Sequence, residues 1–187
     1  MVDPEGYLTE EKFEQLLSFA TDIRDRTLLQ VLFYTGRRVS EVVRSLTVND
    51  IDFQDNLINF TVLKKGYPLK VWLNVNSKLM EVLKEYIEAL GLVSDEYLFP
   101  ISRFRVDQII KSLGRKAGLE YVGRKKIHAH VFRHSYAVMM AKKVKDIYEL
   151  KKLQILMGHS NINMTSFYTE HYNKNEMKEF VDREKNE

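Results

Sequence analysis

Three short stretches of this chain set cations and histidines where they can work on a phosphate. The first is Thr35-Gly36-Arg37-Arg38-Val39-Ser40-Glu41. Gly36 is placed to stop one helix and Ser40-Glu41 to start the next, so Arg38 falls at the corner between them. An arginine just before a helix start sits where backbone N–H groups also point outward, a natural place to hold phosphate. Glu41, one turn on, can orient that guanidinium. Such a pair is also an ordinary surface ion pair, so this motif decides nothing alone. The second stretch is Ile127-His128-Ala129-His130-Val131-Phe132-Arg133-His134-Ser135-Tyr136. If His130 opens a helix, His130 and Arg133 share one face, about 4.5 Å apart along the axis. His130 can then take or share a proton while Arg133 grips a phosphate oxygen. The third stretch is Leu156-Met157-Gly158-His159-Ser160, with Tyr168 nine positions after the histidine. Gly158 ends a helix, which leaves His159 on a turn at its boundary. Ten tyrosines are present, so residue type alone does not mark Tyr168 as a nucleophile.

Two further features bear on this chemistry. Lys64-Lys65-Gly66 reads as a turn between strands, and a lysine on a hairpin tip can reach into a groove and deliver a proton. It can equally protect a sheet edge. His128, His130, His134 and His159 together offer zinc ligands, but no matching carboxylate or cysteine pattern accompanies them.

The elements that must position these residues follow from periodicity. Thr9 caps a helix carrying Phe13, Leu16, Leu17 and Ala20, with Glu10 and Glu11 facing its dipole. A second helix starts near Asp22 and runs to Gly36. From Val48 the period shortens to alternation: Phe53, Leu57-Ile58, Phe60 and Val62 read as strand, with a turn at Asp55-Asn56. Lys65 to Pro68 is a second turn and Leu69 to Leu73 another strand. Helices resume over Ser77 to Ala89, Ser102 to Ala117, His130 to about Lys143 and Asp146 to Met157. The expected fold class is α+β: a mainly helical domain with a small antiparallel sheet of about three strands.

Composition bounds the setting. A chain of 187 residues with 44% hydrophobic and 29% charged residues builds one good core. No apolar run is long enough to cross a bilayer, and the amino terminus has neither the basic nor the apolar region of a secretory signal. The absence of cysteine rules out disulfides and thiolate metal sites and fits an intracellular protein, cytoplasmic or nucleoid-associated. Net charge is only +3, but it is unevenly spread. Ser102 to Arg133 holds nine basic residues against two acids, whereas the first thirty residues hold seven acids against three bases. A molecule polarised in this way can orient itself on a polyanion. The candidate DNA-contact residues are Arg103, Arg105, Lys111, Arg115, Lys125 and Lys126; the alternative is that they solvate helix faces.

Taken in order, Gly-x-Arg-x-Ser-Glu, a hairpin lysine, His-x-x-Arg-His, Leu-x-Gly-His-Ser and a downstream tyrosine resemble the tyrosine recombinase (phage integrase) family. The resemblance runs from about Leu8 to His171. It implies that Arg38, Lys65, His130, Arg133 and His159 occupy catalytic positions, that Tyr168 is the nucleophile and that Glu41 is a supporting acid. Lys64 and Lys70 lie close enough to compete with Lys65, and Tyr172 is the fallback nucleophile. The implied activity is site-specific cleavage and rejoining of double-stranded DNA through a 3′-phosphotyrosyl link, with no cofactor and no metal. Type IB topoisomerase-like relaxation and a non-catalytic DNA-binding relic are the alternatives. The resemblance further implies that residues 1–187 form one catalytic domain without the family's amino-terminal clamping domain. Self-association on DNA is expected, with residues 173–187 docking on a neighbour through Met177, Phe180 and Val181. Whether the chain integrates, excises or resolves, and at which site, is not written in these residues.

Overall fold

The computed structural model describes residues 6–64 and 67–157. The chain forms two compact units, the first ending at Tyr136 and the second beginning at Ala137.

The first unit opens with α1 (Glu10–Leu17), where Thr9 Oγ1 accepts a hydrogen bond from Lys12 N at 3.3 Å and Phe13, Leu16 and Leu17 are buried. Next, α2 (Ile23–Thr35) is capped by Asp22, which accepts from Asp25 N, and is stopped by Gly36 at φ 60°. Its run from Thr27 to Phe33 is buried all round, so α2 is the central helix of this unit. Phe13 stacks on Phe33 at 3.9 Å between centroids and meets Phe132 edge-on at 6.2 Å. This aromatic cluster locks three segments far apart in sequence. Truncating a fully buried phenylalanine such as Phe132 costs about 3–5 kcal/mol, so the helix bearing Arg133 is firmly anchored.

After the short α3 (Val39–Val43) and one 3-10 turn come β1 (Ile51–Asp52), β2 (Leu57–Lys64) and β3 (Tyr67–Asn74). They pair antiparallel in the order β1-β2-β3, with Ile58 opposite Leu73, Phe60 opposite Val71 and Lys64 opposite Tyr67. Ile58, Phe60, Val62 and Leu73 are buried, while Trp72, on the other face, is exposed; the period-2 pattern sets this division. The α+β fold class therefore stands as expected. Strand β3 begins two residues earlier than alternation alone indicates, because its backbone pairing continues through Tyr67 and Pro68.

Helix α4 (Ser77–Leu90) buries Leu79, Met80, Leu83 and Tyr86 along one stripe and packs on α2. The Tyr86 hydroxyl donates to the Leu98 carbonyl at 2.6 Å, and burial pushes its pKa up to about 12. Helix α5 (Arg103–Lys116) is capped by Ser102 and packs against α1 and α3. A two-stranded ribbon that periodicity did not reveal, β4 (Tyr121–Val122) with β5 (Lys125–Lys126), follows it. Each strand is two residues long, too short to show alternation.

Helix α6 (Ala129–Ala141) starts one residue before His130. The Leu8 amide donates to Ser135 Oγ at 2.8 Å, and that hydroxyl donates to the Val131 carbonyl at 2.7 Å. In the second unit, α7 (Ile147–Met157) is capped reciprocally: Glu149 N donates to Asp146 Oδ1 and Lys145 N to Glu149 Oε2. None of the described helices is long and apolar enough to cross a membrane.

Candidate active site

The corner between α2 and α3 is built around one carbonyl and one carboxylate. Gly36 takes the left-handed conformation that ends α2. A Cβ there would lie 2.3 Å from Tyr136 Cδ1, so both the turn and the approach of α6 require glycine. Because the backbone comes this close, Arg133 Nη1 reaches the Gly36 carbonyl at 3.0 Å. Arg133 is only 4% exposed, and a buried guanidinium needs fixed acceptors to hold one geometry.

On the other side of the corner, Glu41 folds back onto Arg38. Its Oε2 accepts from Arg38 N at 3.0 Å and its Oε1 from Arg38 Nη1 at 2.8 Å. The Glu41 side chain is 7% exposed and that of Arg38 is 44% exposed. An ion pair with one exposed partner adds well under about 1 kcal/mol of stability. Its effect is orientation: the carboxylate is anchored and the arginine head stays in reach of solvent.

These side chains face a basin of about 590 Å³ whose lining includes Arg38, Arg44, Arg103, His128, His130 and Arg133. Its one carboxylate lining residue, Asp107, is paired with Lys111 at 2.5 Å, so the arginines set the potential. Partial burial, then Arg133, His128, Lys125 and Arg38, pushes the pKa of His130 down. Burial, then Lys125 and His130, does the same to His134. Both imidazoles are therefore neutral near pH 7. His128 Nδ1 donates to the Lys126 carbonyl at 2.7 Å, and its ring stacks on that of His130 at 6.4 Å. Among the described residues no three histidine, aspartate or glutamate side chains converge as a metal site.

Arg38, His130 and Arg133 are thus brought to one basin from positions up to ninety-five residues apart, with Glu41 behind Arg38 as its ion-pair partner. Lys65, His159, Tyr168 and Tyr172 lie outside the described residues, as does the 173–187 tail. Lys70, a rival for Lys65, is engaged elsewhere: its Nζ contacts buried Asp50 Oδ1 at 2.6 Å. Of the candidate DNA contacts, Arg103 joins the basin and Arg105 lines a separate recess with Asp22, Asp25 and Lys116. Lys111 pairs with Asp107, and Arg115, Lys125 and Lys126 are exposed. Sequence reasoning missed Arg37, Arg44, Phe104 and His128 as lining residues. The doublet Arg37-Arg38 and the position of Arg103-Phe104 at a helix start were the available signals.

Comparison with known proteins shows the family and the fold. The model of the phage integrase family matches residues 6–175. The chain belongs to the phage integrase family. A tyrosine recombinase of Pseudothermotoga lettingae is 32% identical over 167 residues, 87% of this chain and 55% of that protein. Tyrosine recombinase XerA of Pyrococcus furiosus is 32% identical over 187 residues, covering 94% of this chain and 60% of its own length. This phage integrase family chain therefore spans little more than half the length of these curated relatives. A crystal structure of XerA recombinase superposes with a TM-score of 0.70 at 26% identity, over 87% of this chain and 57% of that one. A structure of XerH recombinase bound to its difH substrate shares the fold at TM-score 0.69 and 24% identity, covering 88% and 50% of the two chains.

Proposed function

We propose that this chain is the catalytic domain of a tyrosine-type site-specific recombinase acting on double-stranded DNA. The observation that carries the reading is the convergence of Arg38 and Arg133 on one basin with His130, each arginine held by its own acceptor. Preorganised cations of this kind stabilise charge as it builds on a phosphorane and need no reorganisation during the reaction.

Tyr168 attacks the scissile phosphorus through its phenolate oxygen. A phenol titrates near pH 10, so the surrounding cations are needed to favour that form. The P–O5′ bond breaks as the tyrosyl ester forms, leaving a 3′-phosphotyrosyl link and a 5′ oxygen that takes a proton. Lys65 is assigned to deliver that proton. Arg38, Arg133 and His159 bind the non-bridging oxygens, and His130, neutral at physiological pH, shuttles a proton or holds the attacking tyrosine. A 5′-hydroxyl from another strand reverses the step, because the bond energy is conserved in the ester. The assignments of Lys65, His159 and Tyr168 rest on the family motifs at those positions.

Such an enzyme works where chromosomal DNA is, in the cytoplasm or at the nucleoid, and assembles on its sites. Residues 173–187 dock on a neighbouring copy; a chain lacking them that recombines normally would refute this. The reaction itself is tested by covalent trapping on a pool of nicked duplexes, quenched in detergent, beside Tyr168→Phe and Tyr172→Phe. A shifted band lost only in Tyr168→Phe supports the assignment. A band that survives in Tyr168→Phe and disappears in Tyr172→Phe overturns it. Relaxation of supercoils without any need for paired sites would point to topoisomerase action instead.

A further inference from the structure

Arg37, next to the arginine just assigned, plays no part in the mechanism above, yet it lines the same basin. It is 2% exposed. Its guanidinium carbon sits 5.1 Å from the centroid of the Phe60 ring, and its buried Nε and Nη2 have no hydrogen-bond partner among the described residues. Burial pulls its pKa down, with Glu41 opposing and Arg38 reinforcing; a guanidinium nevertheless stays charged at working pH. A buried cation with unmet donors is costly to fold around. An apolar side chain in its place would pack on Phe60 without that cost.

What the charge can do follows from its neighbours. The anchored Glu41 carboxylate bonds Arg38 through both of its oxygens. Arg38 and Glu41 cancel as a pair, so the field at that corner depends on the cations around them. With Arg37 lining the same basin, two arginine charges stand against one carboxylate and the group keeps a net positive charge. We propose that Arg37 is a positioning residue, a buried cation that keeps the surroundings of the Glu41–Arg38 pair net positive, so that Arg38 can meet a DNA phosphate. This inference rests on the reading of Arg38 as a phosphate ligand.

The test is the salt dependence of binding by the full chain to a random-sequence duplex of about 40 base pairs. Arg37→Met, Arg37→Lys, Arg38→Ala and the Arg37→Met/Arg38→Ala double variant are compared, each with a thermal melt. One phosphate contact contributes about 0.9 to the slope of log K against log salt, or about eightfold in affinity near 0.1 M salt. Arg38→Ala is expected to lose that contact. Arg37→Met is expected to lose the same slope while melting no lower than the parent, and Arg37→Lys to retain most of it. The double variant loses no more than either single change, because both act on one contact. If Arg38→Ala loses slope and Arg37→Met does not, the inference fails and the reading of Arg38 survives. If Arg38→Ala leaves the slope unchanged, the phosphate-ligand reading itself fails. If Arg37→Met melts lower and Arg37→Lys loses as much slope, Arg37 is merely structural and the inference is overturned.

Discussion

Two groups of cations in this chain are built on opposite principles. In the basin, Arg38 is tied to an anchored carboxylate and Arg133 is buried against the Gly36 carbonyl. Along the segment from Arg115 to Lys126, Arg115, Lys125 and Lys126 stand in solvent, with the Lys126 ammonium 6.0 Å from the centroid of the Tyr121 ring. Chemistry on a phosphate needs charge at one place before the substrate arrives. Adhesion to a polyanion needs only charge on the right side of the molecule. In the first group the fold buries an arginine and presses a left-handed glycine against Tyr136.

Substitutions in the basin should therefore act on rate, and those on the exposed segment on salt-dependent binding. The largest effect is expected for Arg133→Gln, which keeps one donor but removes the charge. Strand cleavage followed by detergent-stable complex formation should slow about 100- to 1,000-fold. Next comes Gly36→Ala, which imposes left-handed strain and drives Cβ into Tyr136. Urea denaturation should show a loss of about 2–5 kcal/mol, part of it recovered by adding Tyr136→Ser, which removes the ring but not the strain.

A smaller effect follows from His130 and His134, whose pKa values are lowered in the folded chain. Above the ordinary imidazole pKa of about 6.5 both states are neutral and this contribution is fully present. As pH falls through that value the unfolded chain takes up protons first, so stability declines until the folded pKa values are reached. The urea midpoint should be lower at pH 5.5 than at pH 7.5, and the difference should shrink in His130→Asn/His134→Asn. An unchanged difference would mean that these rings are not the source. The smallest effect is expected for Lys125→Gln and Lys126→Gln, each lowering the salt slope of DNA binding by at most about 0.9 with no change in thermal midpoint.

How much of this was legible in the sequence depends on the range of the interaction. Helix starts at Thr9, Asp22 and Ser102 and stops at Gly36 could be read because a cap is a local hydrogen bond or a local φ. The Arg38–Glu41 pair was legible for the same reason, being three residues apart. The ribbon at Tyr121–Lys126 was not, since two-residue strands carry no period. The bond from Arg133 to Gly36 was hidden by its separation of ninety-seven residues. Arg37 was hidden by its type: arginine reads as surface, and only packing over Phe60 reveals it as buried. Arg103 and Lys111 looked alike in the sequence, but one lines the basin and the other pairs with Asp107.

The contrast between the two groups is tested most directly by single-turnover covalent trapping at rising protein concentration, with Arg38→Ala beside Lys125→Gln/Lys126→Gln. The lysine variant should need more protein to reach half its maximal rate, and that maximum should equal the parent's. Arg38→Ala should stay about 100-fold or more below the parent at saturation. If instead saturating protein restores Arg38→Ala, while the lysine variant stays slow, then the basin is only a binding surface and the reacting phosphate lies elsewhere.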